Sequence, residues 1–133
     1  MNECRIERCQ EMPAVEPPSL VLVVEDDPFV RMDAVDMVEE AGFQAIEASN
    51  AVEAIEIMEA RPDIRILFTD IDMPGSMDGL ALARAVRDRW PPVHIIIASG
   101  HVRVASRDLP SRALFFAKPY QRGAIKAALS GFA

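Results

Sequence analysis

Cysteine is scarce in this sequence and is confined to its beginning. The 133 residues include two cysteines, Cys4 and Cys9, both within the first ten positions. A pair so close together cannot link distant parts of a domain, and no histidine stands near it to complete a metal site. We therefore expect neither a disulfide framework nor a cysteine metal centre.

Long apolar segments are also missing. The longest apolar run of strand type, from Leu20 to Val24, is too short to cross a bilayer. The N-terminus lacks the basic and then apolar layout of a secretion signal. We therefore expect a cytoplasmic protein with no membrane contact.

Positive charge is in deficit. Lysine and arginine number 14 against 21 aspartates and glutamates, which gives a formal net charge of −7. Nucleic acid is therefore not an expected partner, because binding to its phosphates needs clustered basic residues. A Gly-x-Gly-x-x-Gly motif after a strand is also absent, and this disfavours a flavin or dinucleotide domain.

The sequence does contain a regular alternation of strand-like and helix-like segments. Residues 1–18 lack apolar periodicity and are predicted to be a flexible tail, whereas residues 19–133 are predicted to form one domain. Strands are predicted at 20–24, 44–48, 66–69, 94–99 and 113–117, with helical periodicity between them and after the last. This alternation predicts an α/β fold with a five-stranded parallel sheet, flavodoxin-like strand order 2-1-3-4-5 and helices on both faces.

The residues at the carboxyl ends of these strands carry the functional information. Glu25 and Asp26 follow the first strand, Asp70 the third, Ser99 ends the fourth, and Lys118 follows the fifth. In this order the first and third strands are neighbours about 4.8 Å apart, so the three carboxylates are expected to converge. Converging oxygen ligands predict a Mg²⁺ site. The Ser99 hydroxyl and the Lys118 ammonium are expected to lie beside this site, where they could stabilise an oxyanion.

Each of these residues also has a purely structural interpretation. Consecutive acids after a strand often cap the next helix, and a single serine or lysine at a strand end is usually incidental. The functional interpretation depends on the conjunction, because an acid pair, an acid, a hydroxyl and a lysine occur in order, each at the end of its own strand.

This conjunction resembles the receiver domain of two-component response regulators. The resemblance covers residues 19 to about 131 and depends on five segments: Val23-Val24-Glu25-Asp26-Asp27-Pro28, Phe68-Thr69-Asp70-Ile71-Asp72-Met73-Pro74-Gly75, Asp78-Gly79, Ala98-Ser99-Gly100 and Ala117-Lys118-Pro119-Tyr120. It implies a phosphoacceptor protein with self-catalysed phosphotransfer and autodephosphorylation, not an enzyme. The implied cofactor is Mg²⁺.

The resemblance also implies partners. The phosphoryl donor is expected to be a sensor histidine kinase or a histidine phosphotransfer protein. Because no output domain follows Ala133 in this sequence, the signal is expected to leave through an unidentified downstream protein or a phosphate relay. The chain itself is expected to be a monomer or a weak homodimer.

The matched acidic residues are implied to accept the phosphoryl group and to hold the metal. Asp70 matches the phosphoacceptor. Glu25, Asp26 and Asp70 match the carboxylates around Mg²⁺, and Asp72 stands where the family uses a backbone carbonyl as a ligand.

The other matched residues are implied to switch or tune the domain. Ser99 matches the switch hydroxyl and Lys118 the phosphate-binding lysine, whose bond to Pro119 is cis in the family. Phe115 occupies the aromatic switch position, although an ordinary core role explains it equally well. His101 stands where the family tunes the access of water to the phosphoryl group, although a lone histidine is more often a surface residue.

One segment departs from the family pattern. Lys118 follows Ser99 by 19 residues, which is shorter than usual in the family, and the helical periodicity between them is weak. The helix between the fourth and fifth strands is therefore predicted to be short or irregular. This puts the usual dimerisation of the family in doubt.

Two other functions compete with a phosphorylated receiver. A phosphohydrolase of the haloacid dehalogenase type also uses an Asp-x-Asp after a strand, as in Asp70-Ile71-Asp72. That family places its nucleophile strand first, whereas here Glu25 and Asp26 precede Asp70. A degenerate receiver that binds a partner without phosphorylation is the second alternative, and the intact motifs disfavour it.

Overall fold

Within the described residues, five strands form one parallel sheet in the predicted order β2-β1-β3-β4-β5. The computed structural model describes residues 19–72, 78–100 and 109–132. The elements in chain order are β1 (Leu20–Val24), α1 (Pro28–Glu40), β2 (Gln44–Ala48), α2 (Ala51–Ala60), β3 (Ile64–Asp70), α3 (Gly79–Arg89), β4 (His94–Ser99), β5 (Ala113–Ala117) and α4 (Arg122–Gly131). The α/β fold with helices on both faces is confirmed.

Each face of the sheet has its own apolar core, because successive side chains of a strand point to opposite faces. In β1, Leu20, Leu22 and Val24 pack with α2 and α3, whereas Val21 and Val23 pack with α1 and α4. These five side chains are at most 5% exposed. Burial of one such side chain stabilises the fold by about 1.5–3 kcal/mol. The continuous apolar run therefore forms the centre of the protein.

Short polar residues determine where the first two helices begin. Asp27 caps α1 by accepting hydrogen bonds from the backbone N–H groups of Phe29 and Val30. Asn50 caps α2, because its side-chain oxygen accepts a hydrogen bond from the backbone N–H of Glu53. Gly42, two residues after the end of α1, has a φ of +93°, a conformation that glycine adopts without strain.

The third strand is longer than predicted. It begins at Ile64 instead of at residue 66. Ile64 is buried and pairs with Leu20, whereas Arg65 is exposed and interrupts the apolar run in the sequence. The pairing partner of Ile64, and not its local sequence, extends the strand.

The last helix is shorter than its apolar pattern indicates. Apolar residues recur at helical spacing at Ile125, Ala128, Leu129 and Phe132, but α4 ends at Gly131. The backbone N–H of Phe132 donates to the carbonyl of Leu129, and its ring stacks on His94 with centroids 4.3 Å apart. Phe132 therefore packs against the first residue of β4 from beyond the helix.

Several predictions fall outside the described residues. They are the tail at residues 1–18 and the short or irregular helix between β4 and β5, which falls on residues 101–108. The domain limits of 19 and 133 also stay predictions. Among the helices that the structure describes, none is long and apolar enough to cross a membrane.

Candidate functional site

Three carboxylates meet at the carboxyl edge of the sheet. Glu25 and Asp26 lie just beyond β1, and Asp70 is the last residue of the neighbouring β3. One oxygen from each carboxylate lies within 4.8 Å of the others. The predicted convergence is therefore present, and it arises because β1 and β3 are adjacent and end at the same level.

The three acids differ in burial, and burial affects the pKa of the two buried ones, Glu25 and Asp70. Glu25 and Asp70 are each 6% exposed, whereas Asp26 is exposed. Burial raises the pKa of Asp70 above its ordinary value, and nearby Asp72 raises it further, although Lys118 opposes both. Burial likewise raises the pKa of Glu25, against a hydrogen bond from the backbone N–H of Asp27 and with added repulsion from Asp70. The charged forms of Glu25 and Asp70 are therefore less favourable in the folded protein than in water.

Lys118 supplies the positive charge that partly offsets these acids. Its Nζ donates a hydrogen bond to Glu25 Oε1 at 3.3 Å and lies 3.3 Å from Asp70 Oδ1. Burial lowers the pKa of the Lys118 ammonium, but Asp70 and Glu25 outweigh burial and raise it above its ordinary value. One ammonium is thus shared by two buried carboxylates, and their negative charges raise the pKa of the lysine.

The donor set fits a small divalent cation. The contact between Lys118 and Asp70 Oδ1 falls short of hydrogen-bond geometry, and this buried oxygen accepts no hydrogen bond from the described residues. A buried carboxylate oxygen that accepts no hydrogen bond from the described residues, and lies beside two further carboxylates, is an arrangement that a cation stabilises. Oxygen ligands with one solvent-exposed member, Asp26, match the preference of Mg²⁺, which retains several waters.

Ser99 lies at the same edge but faces a fourth acid. It ends β4, is 2% exposed, and its Oγ donates a hydrogen bond to Asp72 Oδ2 at 2.9 Å. The sequence prediction placed this hydroxyl beside an oxyanion on Asp70 and used only the backbone of Asp72. The structure adds a side-chain acceptor that the spacing of the motifs did not indicate.

Phe115 is half-buried in the middle of β5. It pairs with Ile97 of β4 and packs against the core on the α2–α3 face of the sheet. This position is compatible with both interpretations of the residue, as part of the core and as a movable aromatic ring. Its switch role stays a prediction.

Two further predictions concern the loops around the site. The Lys118–Pro119 peptide bond is cis, as the resemblance implied. His101 lies outside the described residues, so its tuning role stays a prediction.

Sequence reasoning missed Arg31. Its Nη1 donates to the backbone oxygen of Glu25 at 2.9 Å, and its Nε donates to Glu47 Oε1 at 3.0 Å. Arg31 therefore ties the loop after β1 to the end of β2. Only the placement of β2 next to β1 brings these groups together, and no local sequence motif indicates that Arg31 makes these contacts.

Comparison with known proteins agrees with this geometry. Residues 21–130 match the family described as Response regulator receiver domain. The chain is 40% identical over 97 residues to the sensor kinase CckA of Brucella abortus, a match that covers 71% of this chain and 10% of that protein. It is 34% identical over 103 residues to the response regulator receiver protein CpdR of the same organism, covering 75% of this chain and 84% of CpdR.

A solved structure shows the same fold. The crystal structure of a response regulator receiver protein from Pseudomonas putida superposes with a TM-score of 0.77 at 28% identity, covering 88% of this chain and 99% of that one. Four of the curated relatives, including CckA, are much longer than this chain, and the match covers only 9% to 23% of their length. Since the family match covers most of the sequence, the chain belongs to the response regulator receiver domain family and is a phosphoacceptor switch domain of two-component signalling.

Proposed function

We propose that Asp70 accepts a phosphoryl group from a sensor histidine kinase or a histidine phosphotransfer protein. The observation that carries this proposal is the buried Asp70 Oδ1, which accepts no hydrogen bond from the described residues and lies 3.3 Å from the Lys118 ammonium. In the transfer, the P–N bond of a phosphohistidine breaks, a P–O bond to Asp70 forms, and the imidazole leaves. Later attack of water on phosphorus releases inorganic phosphate and restores the Asp70 carboxylate.

Lys118 and the acids would stabilise the transferred group in different ways. Lys118 neutralises charge on the transferred group, because its ammonium already lies beside the accepting carboxylate. Glu25, Asp26 and Asp70, with the backbone carbonyl of Asp72, would hold Mg²⁺, which supplies positive charge to the phosphoryl oxygens when bound.

The relatives support a place in a phosphorelay. Similar sequences occur in the sensor kinase CckA and in the receiver protein CpdR of Brucella abortus. The expected donor is a histidine-phosphorylated protein, and the recipient of the signal is an unidentified protein. We place the protein in the cytoplasm, as its sequence indicates.

Phosphorylation by a small donor tests this function directly. Incubation with acetyl phosphate and Mg²⁺ should add about 80 Da to the intact mass, as expected for one phosphoryl group. Asp70→Asn should abolish the gain, because an amide cannot accept the group. Asp88→Asn changes an exposed acid of α3 and should keep the gain.

Two outcomes would contradict the proposal. A full mass gain in Asp70→Asn would move the acceptor to another residue. No gain in the wild type, either with acetyl phosphate or with a phosphorylated histidine protein, would instead favour a receiver that binds its partner without phosphorylation. The haloacid dehalogenase alternative is not favoured, since the chain belongs to the receiver family.

A further inference from the structure

The Asp72 side chain is hydrogen-bonded to the Ser99 hydroxyl and is not one of the three carboxylates that converge at the metal site. Among the described residues, the acids that converge within 4.8 Å are Glu25, Asp26 and Asp70. Asp72, two residues after Asp70, instead accepts a hydrogen bond from Ser99 Oγ at 2.9 Å. The fourth carboxylate at this edge is therefore hydrogen-bonded to Ser99, the hydroxyl that the family resemblance implies as the partner of the phosphoryl group.

This hydrogen bond limits what Ser99 can do. A hydroxyl has one proton and donates to one acceptor at a time, whereas an ionised carboxylate can only accept. A bond from a hydroxyl to a charged acceptor is stronger than a bond between neutral groups. Ser99 is also 2% exposed, so water does not readily replace Asp72 as its acceptor. To donate to a phosphoryl group on Asp70, Ser99 must first leave Asp72.

We propose that Asp72 is a positioning residue that holds the Ser99 hydroxyl away from Asp70 until a phosphoryl group competes for it. This inference rests on the proposed function of Asp70. The phosphoryl group brings a charge of about −1.5 to −2 and three acceptor oxygens, so it competes effectively with a single carboxylate. Asp72 thereby sets how strongly a phosphoryl group must attract the Ser99 hydroxyl before that hydroxyl exchanges acceptors. Replacement of Asp72 lowers this threshold.

Beryllofluoride is a suitable probe, because it binds a carboxylate oxygen through beryllium and presents three fluorines in place of the phosphoryl oxygens. Its affinity would be measured in the presence of Mg²⁺ by fluorine NMR titration. The set of proteins is the wild type, Asp72→Ala, Ser99→Ala and the double variant. Thermal unfolding of each protein confirms that it is folded.

Asp72→Ala is expected to tighten beryllofluoride binding by roughly tenfold in the wild-type background, the size of one hydrogen bond to a charged group. Removal of the negative charge alone also favours an anion, but it does so equally whether or not Ser99 is present. The tightening should therefore be several-fold smaller in the Ser99→Ala background. Equal effects in the two backgrounds would overturn the proposal.

Asp72→Asn separates hydrogen bonding from charge. Asparagine keeps an oxygen that accepts from Ser99 but carries no charge, so it should tighten binding less than alanine does. If asparagine and alanine tighten binding equally, charge alone explains the effect and the holding role is wrong.

Failure of the proposed function has a different signature. In that case the wild type neither gains mass with acetyl phosphate nor binds beryllofluoride. A wild type that does both, without coupling between positions 72 and 99, overturns only the role of Asp72.

Discussion

Gly79, the first residue of α3, lies directly against the backbone of Asp70. A Cβ atom at Gly79 would come within 1.8 Å of the Asp70 carbonyl oxygen and 2.9 Å of the Ile71 Cα. The backbone N–H of Gly79 also donates to the Ile71 carbonyl at 3.2 Å. Glycine at this position therefore lets α3 begin immediately beside the accepting residue.

Gly79→Ala is expected to damage both the fold and the site, since the atoms that it would meet belong to the backbone and cannot rotate away. We expect a loss of about 3 kcal/mol or more in the free energy of unfolding, and slower phosphorylation by acetyl phosphate. Denaturant unfolding and intact mass would measure the two effects.

Gly123→Ala is the matched control for Gly79→Ala. Gly123 lies in α4, and a Cβ there meets nothing within 4 Å. Alanine should be neutral or stabilise the protein by up to about 1 kcal/mol. Equal stability of the two alanine variants would show that α3 shifts freely and that the close contact is unimportant.

Asp26→Ala should weaken Mg²⁺ binding without disturbing the core. Asp26 is exposed, and its carboxylate is one of the three that converge within 4.8 Å. Loss of one oxygen ligand should lower the affinity by roughly tenfold or more, as measured by calorimetry. Asp36→Ala removes an exposed acid of α1 outside this group and should leave the affinity unchanged. Similar affinities for wild type and Asp26→Ala would remove Asp26 from the metal site.

Asp70→Asn should stabilise the metal-free protein at neutral pH. Because burial raises the pKa of Asp70, the folded protein favours the neutral carboxyl, and an amide reproduces that state. We expect a gain of roughly 1 kcal/mol at pH 7 in the presence of EDTA, or a few degrees in the unfolding midpoint. A lower midpoint for Asp70→Asn would show that the ion pair with Lys118 outweighs the cost of burial.

The raised pKa of Asp70 also predicts how the stability of the protein depends on pH. The unfolded chain releases the Asp70 proton at its ordinary pKa, below that of the folded protein. Stability from the protonated form is therefore fully present below the unfolded pKa and is lost as the pH rises through the folded pKa. Melting series in EDTA from pH 4 upward, about the ordinary carboxyl pKa, should show a larger decline for the wild type than for Asp70→Asn. Parallel curves would contradict this.

Phe29 is expected to contribute to docking of a protein donor. It is 80% exposed and, with Met32 one turn later at 59%, forms an apolar patch near the start of α1, the helix that follows Glu25 and Asp26 in the chain. Exposed apolar patches of this kind are typical of protein contacts. Phe29→Ala should slow transfer from a phosphorylated histidine protein about tenfold, the effect of losing one interface anchor of 1–2 kcal/mol, but should not slow transfer from acetyl phosphate.

Val52→Ala is the control for Phe29→Ala. Val52 is 59% exposed on α2 and does not belong to this patch. It should leave both transfer reactions unchanged. Equal slowing by the two substitutions, or slowing of the acetyl phosphate reaction by Phe29→Ala, would argue against a docking role for α1.

The strand order and the acidic cluster could be predicted from the sequence because both depend on local patterns. The apolar run from Leu20 to Val24 can only be buried on both faces, and a parallel sheet brings the ends of neighbouring strands together. Glu25 and Asp26 follow the end of β1 and Asp70 is the last residue of β3, so their convergence needed no knowledge of the loops.

Contacts between side chains from distant segments were decided only by the tertiary structure. The bond from Ser99 to Asp72 joins residues 27 positions apart, and Arg31 reaches Glu47 across 16 positions. Strand order brings such residues near each other, but the rotamer of each side chain and the burial around it choose the partner. Lys118 illustrates the same limit: its position after β5 was evident in the sequence, whereas its equal 3.3 Å distances to Glu25 and Asp70 result from how β1, β3 and β5 end at one edge of the sheet.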